Sequence, residues 1–151
     1  MWMRKKLVFA LIFAVFGFAG FCQNSEKISE LLNTEEISKG QAAYFVCVSQ
    51  NFAQENVPED EAFSVLAEKQ FFGGVENPAE KIALSKACFL VARASNMKGG
   101  IFYSIFGSER YAFREFKALK IIPENSDPMQ KVSGREFLAL LNGFEQKGKT
   151  K

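Results

Sequence analysis

The chain has 151 residues, of which 48% are hydrophobic, 24% charged and 14% aromatic, with a formal net charge of +2 and no histidine. Without histidine, the chain cannot by itself build a Ser-His or Cys-His catalytic pair or a histidine-ligated metal site. The hydrophobic fraction and the modest numbers of proline and glycine exclude disorder and indicate one small domain. We therefore predict a non-catalytic protein with no cofactor and no metal.

The N-terminus has the pattern of a secretory signal. Three basic residues precede an uncharged run, Leu7–Phe21, which is shorter than the roughly 20 apolar residues that a membrane-spanning helix needs. Residues 1–22 are predicted to be a signal peptide that directs export to the periplasm or cell envelope, with cleavage after Ala19 or after Cys22. An uncleaved anchor and lipidation of Cys22 are the alternatives.

The charge of the remaining chain is nearly balanced. Once the three basic residues of the signal are removed, acidic residues exceed basic ones by one, and the two signs are interspersed. This pattern does not favour binding to nucleic acid.

Apolar residues recur at helical spacing through the rest of the chain. A short helix is expected at 25–32, and longer helices are expected at about 38–53, 85–95 and 133–144. These helices predict an all-α protein.

Each of the three longer helices follows an aliphatic residue and a serine. The serines, Ser38, Ser85 and Ser133, are 47 and 48 residues apart. Gln41 and Glu136, three residues after the first and third serines, complete capping boxes in which side chain and backbone satisfy each other's hydrogen bonds. A device that returns at a nearly constant period indicates a repeat architecture.

Two further helices repeat each other at a distance of 50 residues. The first contains Ala62, Phe63, Leu66, Phe71 and Phe72, and the second contains Ala112, Phe113, Phe116, Ile121 and Ile122. The sequence therefore predicts three helix-loop-helix units at about 25–55, 56–97 and 108–144, with a polar tail at 145–151.

Two cysteines lie inside these apolar patterns. Cys47 and Cys88 do not have the spacing of a metal site. In an oxidising compartment they could form a disulfide, and the alternative is that each is a small buried hydrophobic residue.

The repeated helix starts and the Leu66–Gly73 and Leu119–Pro123 helix ends resemble S-layer homology repeats. The resemblance covers about residues 25–144 and implies that 23–144 form a pseudo-threefold helical prism. Its grooves would bind peptidoglycan or another wall polysaccharide. The hydroxyl and basic members of the family signature correspond to Ser38, Lys39, Ser85, Lys86, Ser133 and, one place late, Arg135.

The lysines of this set have a simpler interpretation as solvated surface charges. A cation in the first turn of a helix opposes the helix dipole. Lys39 and Lys86 carry this cost at what the sequence presents as the same repeat position, which favours a binding role.

The segment 97–111 is glycine-hinged and aromatic. Its side chains Phe102, Tyr103, Phe106 and Tyr111 either belong to the core or form an exposed face. In the second case the protein would be a periplasmic scaffold or adaptor that docks another envelope protein through this connector. A carrier with a pocket for an apolar ligand is a further alternative.

Overall fold

The computed structural model describes residues 19–73, 76–98, 103–104 and 107–147. These residues form an all-helical protein with six helices, which confirms the predicted class. The helices are α1 (Ala19–Asn33), α2 (Lys39–Ser49), α3 (Glu59–Glu68), α4 (Leu84–Ala94), α5 (Glu109–Ala118) and α6 (Gly134–Lys147). Residues 1–18 of the predicted signal peptide lie outside the described residues, as do Phe102 and Phe106 of the connector. Within the described part of the chain, no helix has the length and apolar character to cross a bilayer.

Two helix ends differ from the sequence-based expectation. Helix α2 stops at Ser49 rather than near residue 53, because Asn51 adopts a left-handed backbone with φ of 57°. Helix α6 continues to Lys147, so residues 145–147 of the predicted tail are helical. The Lys147 ammonium donates a hydrogen bond to the Lys120 carbonyl oxygen (3.0 Å), which ties this end of α6 to the turn after α5.

The helices pair mainly with their neighbours in sequence. Helix α2 packs against α3 and α4 packs against α5, while α6 packs against α1, so the first and last helices close on each other. Helix α4 also contacts α2 and α6. These pairs cross the unit boundaries suggested by the sequence, since α2 and α3 fall in different predicted units.

Short extended segments before α2, α4 and α6 join the three helix starts. The Ile37 N–H donates to the Val132 carbonyl oxygen (2.9 Å), and the Ile82 N–H donates to the Ile37 carbonyl oxygen (3.1 Å). All three of these aliphatic side chains are buried. The starts of α2, α4 and α6 therefore lie close together.

The structure corrects the register of the repeat in its second copy. Ser38 precedes α2 and forms its capping box, and Ser133 forms the corresponding box with Glu136 at the start of α6, as predicted. The residue in this place before α4 is Ala83. Ser85, predicted to be the cap, is instead the second residue of α4 and is buried.

The reason for this shift lies in the backbone. At the start of α4 the Leu84 N–H donates to the Gln130 carbonyl oxygen (2.9 Å), and the Ser85 N–H donates to the Pro128 carbonyl oxygen (3.0 Å). The start of α2 has the same arrangement, since the Lys39 and Gly40 N–H groups donate to the Glu80 and Pro78 carbonyl oxygens. These matching contacts place Ala83, and not Ser85, at the position that corresponds to Ser38. The equivalent helix starts are therefore 45 and 50 residues apart.

The intermediate helices bury the residues that their pattern predicts. Ala62, Phe63 and Leu66 of α3 and Ala112, Phe113 and Phe116 of α5 are all buried. Tyr103 is also buried, with 7% of its surface exposed, which confirms the core interpretation for this residue of the connector. Tyr111 is half-buried against the same core.

The two cysteines are buried and free rather than joined in a disulfide. Burial raises the pKa of the Cys47 thiol to about 11, although the charge of Lys69 acts in the opposite direction. Burial also raises the pKa of Cys88. Both behave as small hydrophobic residues of the core.

One glycine allows α1 to close on α6. A Cβ atom at Gly134 would lie 1.7 Å from the carbonyl oxygen of Leu31. The Gly134 N–H also donates to the Thr34 carbonyl oxygen (3.0 Å). The third helix start therefore carries glycine, where the family signature has a basic residue, because the end of α1 occupies the space of a side chain.

Candidate binding groove

The predicted site residues that the structure brings together are Lys39, Ser85 and Lys86. Lys39 is the first residue of α2, and Lys86 is the third residue of α4. Because these two helix starts are adjacent, the side chains of all three residues line one groove of about 430 Å³, which we call the lysine groove. The lysines occupy different positions in their helices, so the expectation that they are equivalent is wrong.

The two lysines of the groove contact a carboxylate that the sequence pattern did not identify. Glu76 lies in the segment between α3 and α4, and only 9% of its side chain is exposed. Its Oε2 lies 3.1 Å from Lys39 Nζ, and its Oε1 forms an ion pair with Lys86 Nζ. Geometrically the Oε2 contact is an ion pair without a well-aligned hydrogen bond. A single buried carboxylate thus holds the two lysines together.

Two exposed carboxylates complete the cluster. Glu80, with 61% of its side chain exposed, forms an ion pair with Lys39. Glu109, with 43% exposed, has its Oε1 at 3.6 Å from Lys86 Nζ. Because exposed ion pairs contribute little to stability, these two partners are easily exchanged for other anions or for polar groups, whereas Glu76 is not.

The electrostatics of the pair formed by Lys39 and Glu80 follow from this arrangement. Burial works against the charged form of Lys39, but the hydrogen bond to Glu80 and the close negative charges of Glu76 and Glu80 outweigh it and raise the pKa of the lysine above its ordinary value. The hydrogen bond from Lys39 and its charge lower the pKa of Glu80. Both groups are therefore held in their ionised forms.

Lys39 is not a solvated surface charge. Only 10% of its side chain is exposed, and the corresponding figure for Lys86 is 19%. Two further lysines, Lys81 and Lys131, also line the groove, and their ammonium groups donate to backbone carbonyl oxygens. The rim therefore has an excess of positive charge over the carboxylates.

The fold contains an equivalent groove that lacks this cluster. This groove lies between α4 and α6 and has a volume of about 410 Å³. Leu84 takes the place of Lys39, and Glu136 takes the place of Lys86. Ser126 and Gln130 take the places of Glu76 and Glu80. The same backbone is thus built with one lysine replaced by leucine and the central carboxylate replaced by serine. The charge cluster is a property of one groove and is not required by the fold.

The other predicted site residues have structural contacts. The Ser38 hydroxyl accepts a hydrogen bond from the Gln41 N–H (3.0 Å), and Ser133 has the corresponding role in α6. Arg135 is exposed, and its Nε donates to the Leu32 carbonyl oxygen (3.1 Å) in the last turn of α1. Neither Ser133 nor Arg135 lines the lysine groove.

A repeat in the loops would have identified the correct register and drawn attention to this region. The segment Asn77–Ile82 corresponds to Asp127–Val132, 50 residues later, with Pro, Glu or Gln, Lys and an aliphatic residue in the same order. In both segments the first side chain accepts a hydrogen bond from the N–H two residues on (2.9 Å). This loop fixes the position of Ile82 relative to Val132 in the repeat, and Ala83 therefore corresponds to Ser133.

Comparisons with family models, with curated proteins and with solved structures found no match for this chain. The function is therefore inferred from the geometry and charge of the grooves.

Proposed function

We propose that the protein is a non-catalytic binding module of the cell envelope that holds peptidoglycan or another wall polymer in the lysine groove. The observation that carries this proposal is the charge cluster of Lys39, Glu76 and Lys86, which is present in one of two equivalent grooves. Burying ionised groups is costly, and the equivalent groove shows that the fold is built without them. A ligand that needs two fixed ammonium groups accounts for their presence.

The groove has the chemistry that such a polymer requires. Carboxylate or hydroxyl groups of the ligand take the places of Glu80 and Glu109, the two exposed partners of the lysines. The lysines keep their positions because Glu76 holds them from below. The Ser85 hydroxyl adds a hydrogen-bonding group on the same wall.

Two features support the architectural part of the proposal. The equivalent starts of α2, α4 and α6 support an arrangement like the pseudo-threefold prism of S-layer homology repeats. The signal pattern of residues 1–22 supports export to the compartment in which a wall polymer is found. The alternative of an adaptor that docks through the aromatic connector has less support, because Tyr103 is buried.

Co-sedimentation of the protein with purified peptidoglycan sacculi, at low and at high salt, tests the proposal. The binding variant is Lys39→Met/Glu76→Gln/Lys86→Met, which removes the cluster without leaving one buried charge unpaired. The control variant is Lys69→Met/Lys120→Met, which removes two exposed lysines away from the groove.

We expect the wild type and the control to pellet with sacculi and the groove variant to stay in solution, with circular dichroism showing that all three are folded. Wild-type protein that does not pellet, or a groove variant that pellets as well as the wild type, would contradict the proposal.

A further inference from the structure

A second groove lies beside the lysine groove and contains two arginines that form no ion pair among the described residues. Arg110 and Arg114 of α5 line it together with Ser85, Phe113 and Pro128, and its volume is about 460 Å³. We call it the arginine groove. It shares only Ser85 and Glu109 with the lysine groove.

The two arginines are neighbouring cations without an acidic partner among the described residues. They are one helical turn apart on α5 and are exposed, and neither forms an ion pair within the described part of the chain. Like charges at this spacing destabilise a helix. Glu109 is the acidic residue of this groove, and it lies within ion-pair distance of Lys86, at 3.6 Å.

The equivalent surface of α2 and α3 shows that the fold does not require these side chains. Arg110 and Arg114 correspond to Asp60 and Ser64 of α3, 50 residues earlier, and Ser85 corresponds to Gly40. A Cβ atom at Gly40 would make a tight contact with the Pro78 carbonyl oxygen, at 3.3 Å, so this position has no side chain where the arginine groove carries a hydroxyl.

The donors of the arginine groove define the class of ligand. A guanidinium presents a planar pair of N–H groups that matches two oxygens, so one arginine is enough for a carboxylate. Two arginines and the Ser85 hydroxyl, which makes no hydrogen bond among the described residues, match an anion with more oxygens and more charge. A phosphate group has this chemistry.

We infer that the arginine groove binds a phosphate group carried by a larger ligand. The two guanidinium groups contact its oxygens, the Ser85 hydroxyl donates a further hydrogen bond, and an apolar part of the ligand lies against Phe113 and Pro128. The two grooves share Ser85, whereas the two guanidinium groups belong to the arginine groove alone, so phosphate binding there does not require a polymer in the lysine groove. The phosphate group belongs either to a lipid headgroup or to a phosphate ester that is not part of a lipid.

Titration of the protein with inorganic phosphate, at constant ionic strength maintained with chloride, tests the inference. The readout is the ¹⁵N NMR signal of the arginine Nε–H groups. The test variant is Arg110→Ala/Arg114→Ala, and the control variant is Lys120→Ala/Arg135→Ala, which removes the same charge elsewhere on the surface. A parallel titration with acetate compares phosphate with a carboxylate.

We expect saturable shifts of the Arg110 and Arg114 signals with phosphate, unchanged affinity in the control variant, and binding at least tenfold weaker in the test variant, as judged from its amide signals. No saturable shift, equal affinity in the test variant, or acetate binding as tight as phosphate would overturn the inference. Vesicles with and without phosphatidylglycerol then identify the source. Arginine-dependent binding to the former indicates a headgroup, and phosphate binding without vesicle binding indicates a non-lipid ester.

Discussion

Glu76 is predicted to contribute more to stability than any exposed carboxylate of the cluster. The substitution Glu76→Gln keeps the size of the side chain and removes the charge that holds Lys39 and Lys86. Removing one partner of a buried ion pair costs about 3–5 kcal/mol. The two lysines retain their exposed partners, and such pairs contribute about 0–1 kcal/mol, so we expect a net loss of about 2–4 kcal/mol.

Urea denaturation followed by circular dichroism measures this loss, and the melting temperature should fall by about 5–15 °C for a domain of this size. The matched control is Glu80→Gln, which removes an equally charged partner of Lys39 from an exposed position and should have a much smaller effect. The triple variant Lys39→Met/Glu76→Gln/Lys86→Met should recover most of the lost stability. Equal losses for Glu76→Gln and Glu80→Gln would refute the reasoning.

Three further predictions concern the helix starts and the pH dependence of the cluster. Gly134→Ala should destabilise the protein by about 1–3 kcal/mol in urea denaturation, because the new Cβ meets the end of α1. The control Gly73→Ala should not destabilise it, since no atom lies within 4 Å of the new Cβ. A Gly134→Ala protein as stable as the wild type would contradict this packing. Ser38→Ala should lower the stability by about 1 kcal/mol because a helix cap is lost, whereas Ser85→Ala should change it by less than about 0.5 kcal/mol. If thermal unfolding gave the reverse order, Ser85 would be the cap of its helix, as the sequence pattern predicted. The stability difference between wild type and Glu80→Gln should be present at neutral pH. This difference should vanish as the pH falls below 4.5 through the lowered pKa of Glu80, and also as the pH rises above 10.5 through the raised pKa of Lys39. A difference in urea denaturation that persists at both extremes of pH would be inconsistent with an ion pair.

The sequence identified the elements of the fold because their signals are local. Helical spacing predicted the apolar faces of α3 and α5, and the capping boxes at Ser38 and Ser133 are formed by residues three apart. The second helix start was misplaced by two residues because the aliphatic-serine pattern occurs at Leu84 and Ser85, whereas the backbone contacts with the neighbouring loop place Ala83 at the cap position. The helix-start pattern does not record these contacts, although the repeat of Asn77–Ile82 at Asp127–Val132 indicates the correct register.

The candidate groove was predictable only in part, for the same reason. Lys39 and Lys86 were singled out from their helix starts, and the structure brings them together, although from positions that are not equivalent. Glu76 was missed because it lies in a loop without periodic signal, and its role depends on two side chains that are 37 residues before it and 10 residues after it. Gly134 stands where the S-layer homology signature, which the sequence resembles, has a basic residue, because α1 at the other end of the chain packs against it.

The central claim is that the lysine groove, and not the corresponding groove between α4 and α6, holds a wall polymer. Titration of the ¹⁵N-labelled protein with soluble peptidoglycan fragments, followed through the backbone amide signals, tests it most directly. The account predicts saturable shifts centred on Lys39, Ser85 and Lys86, with little change around Ser126 and Glu136. Shifts centred on Ser126 and Glu136, or no saturable shift at all, would contradict it.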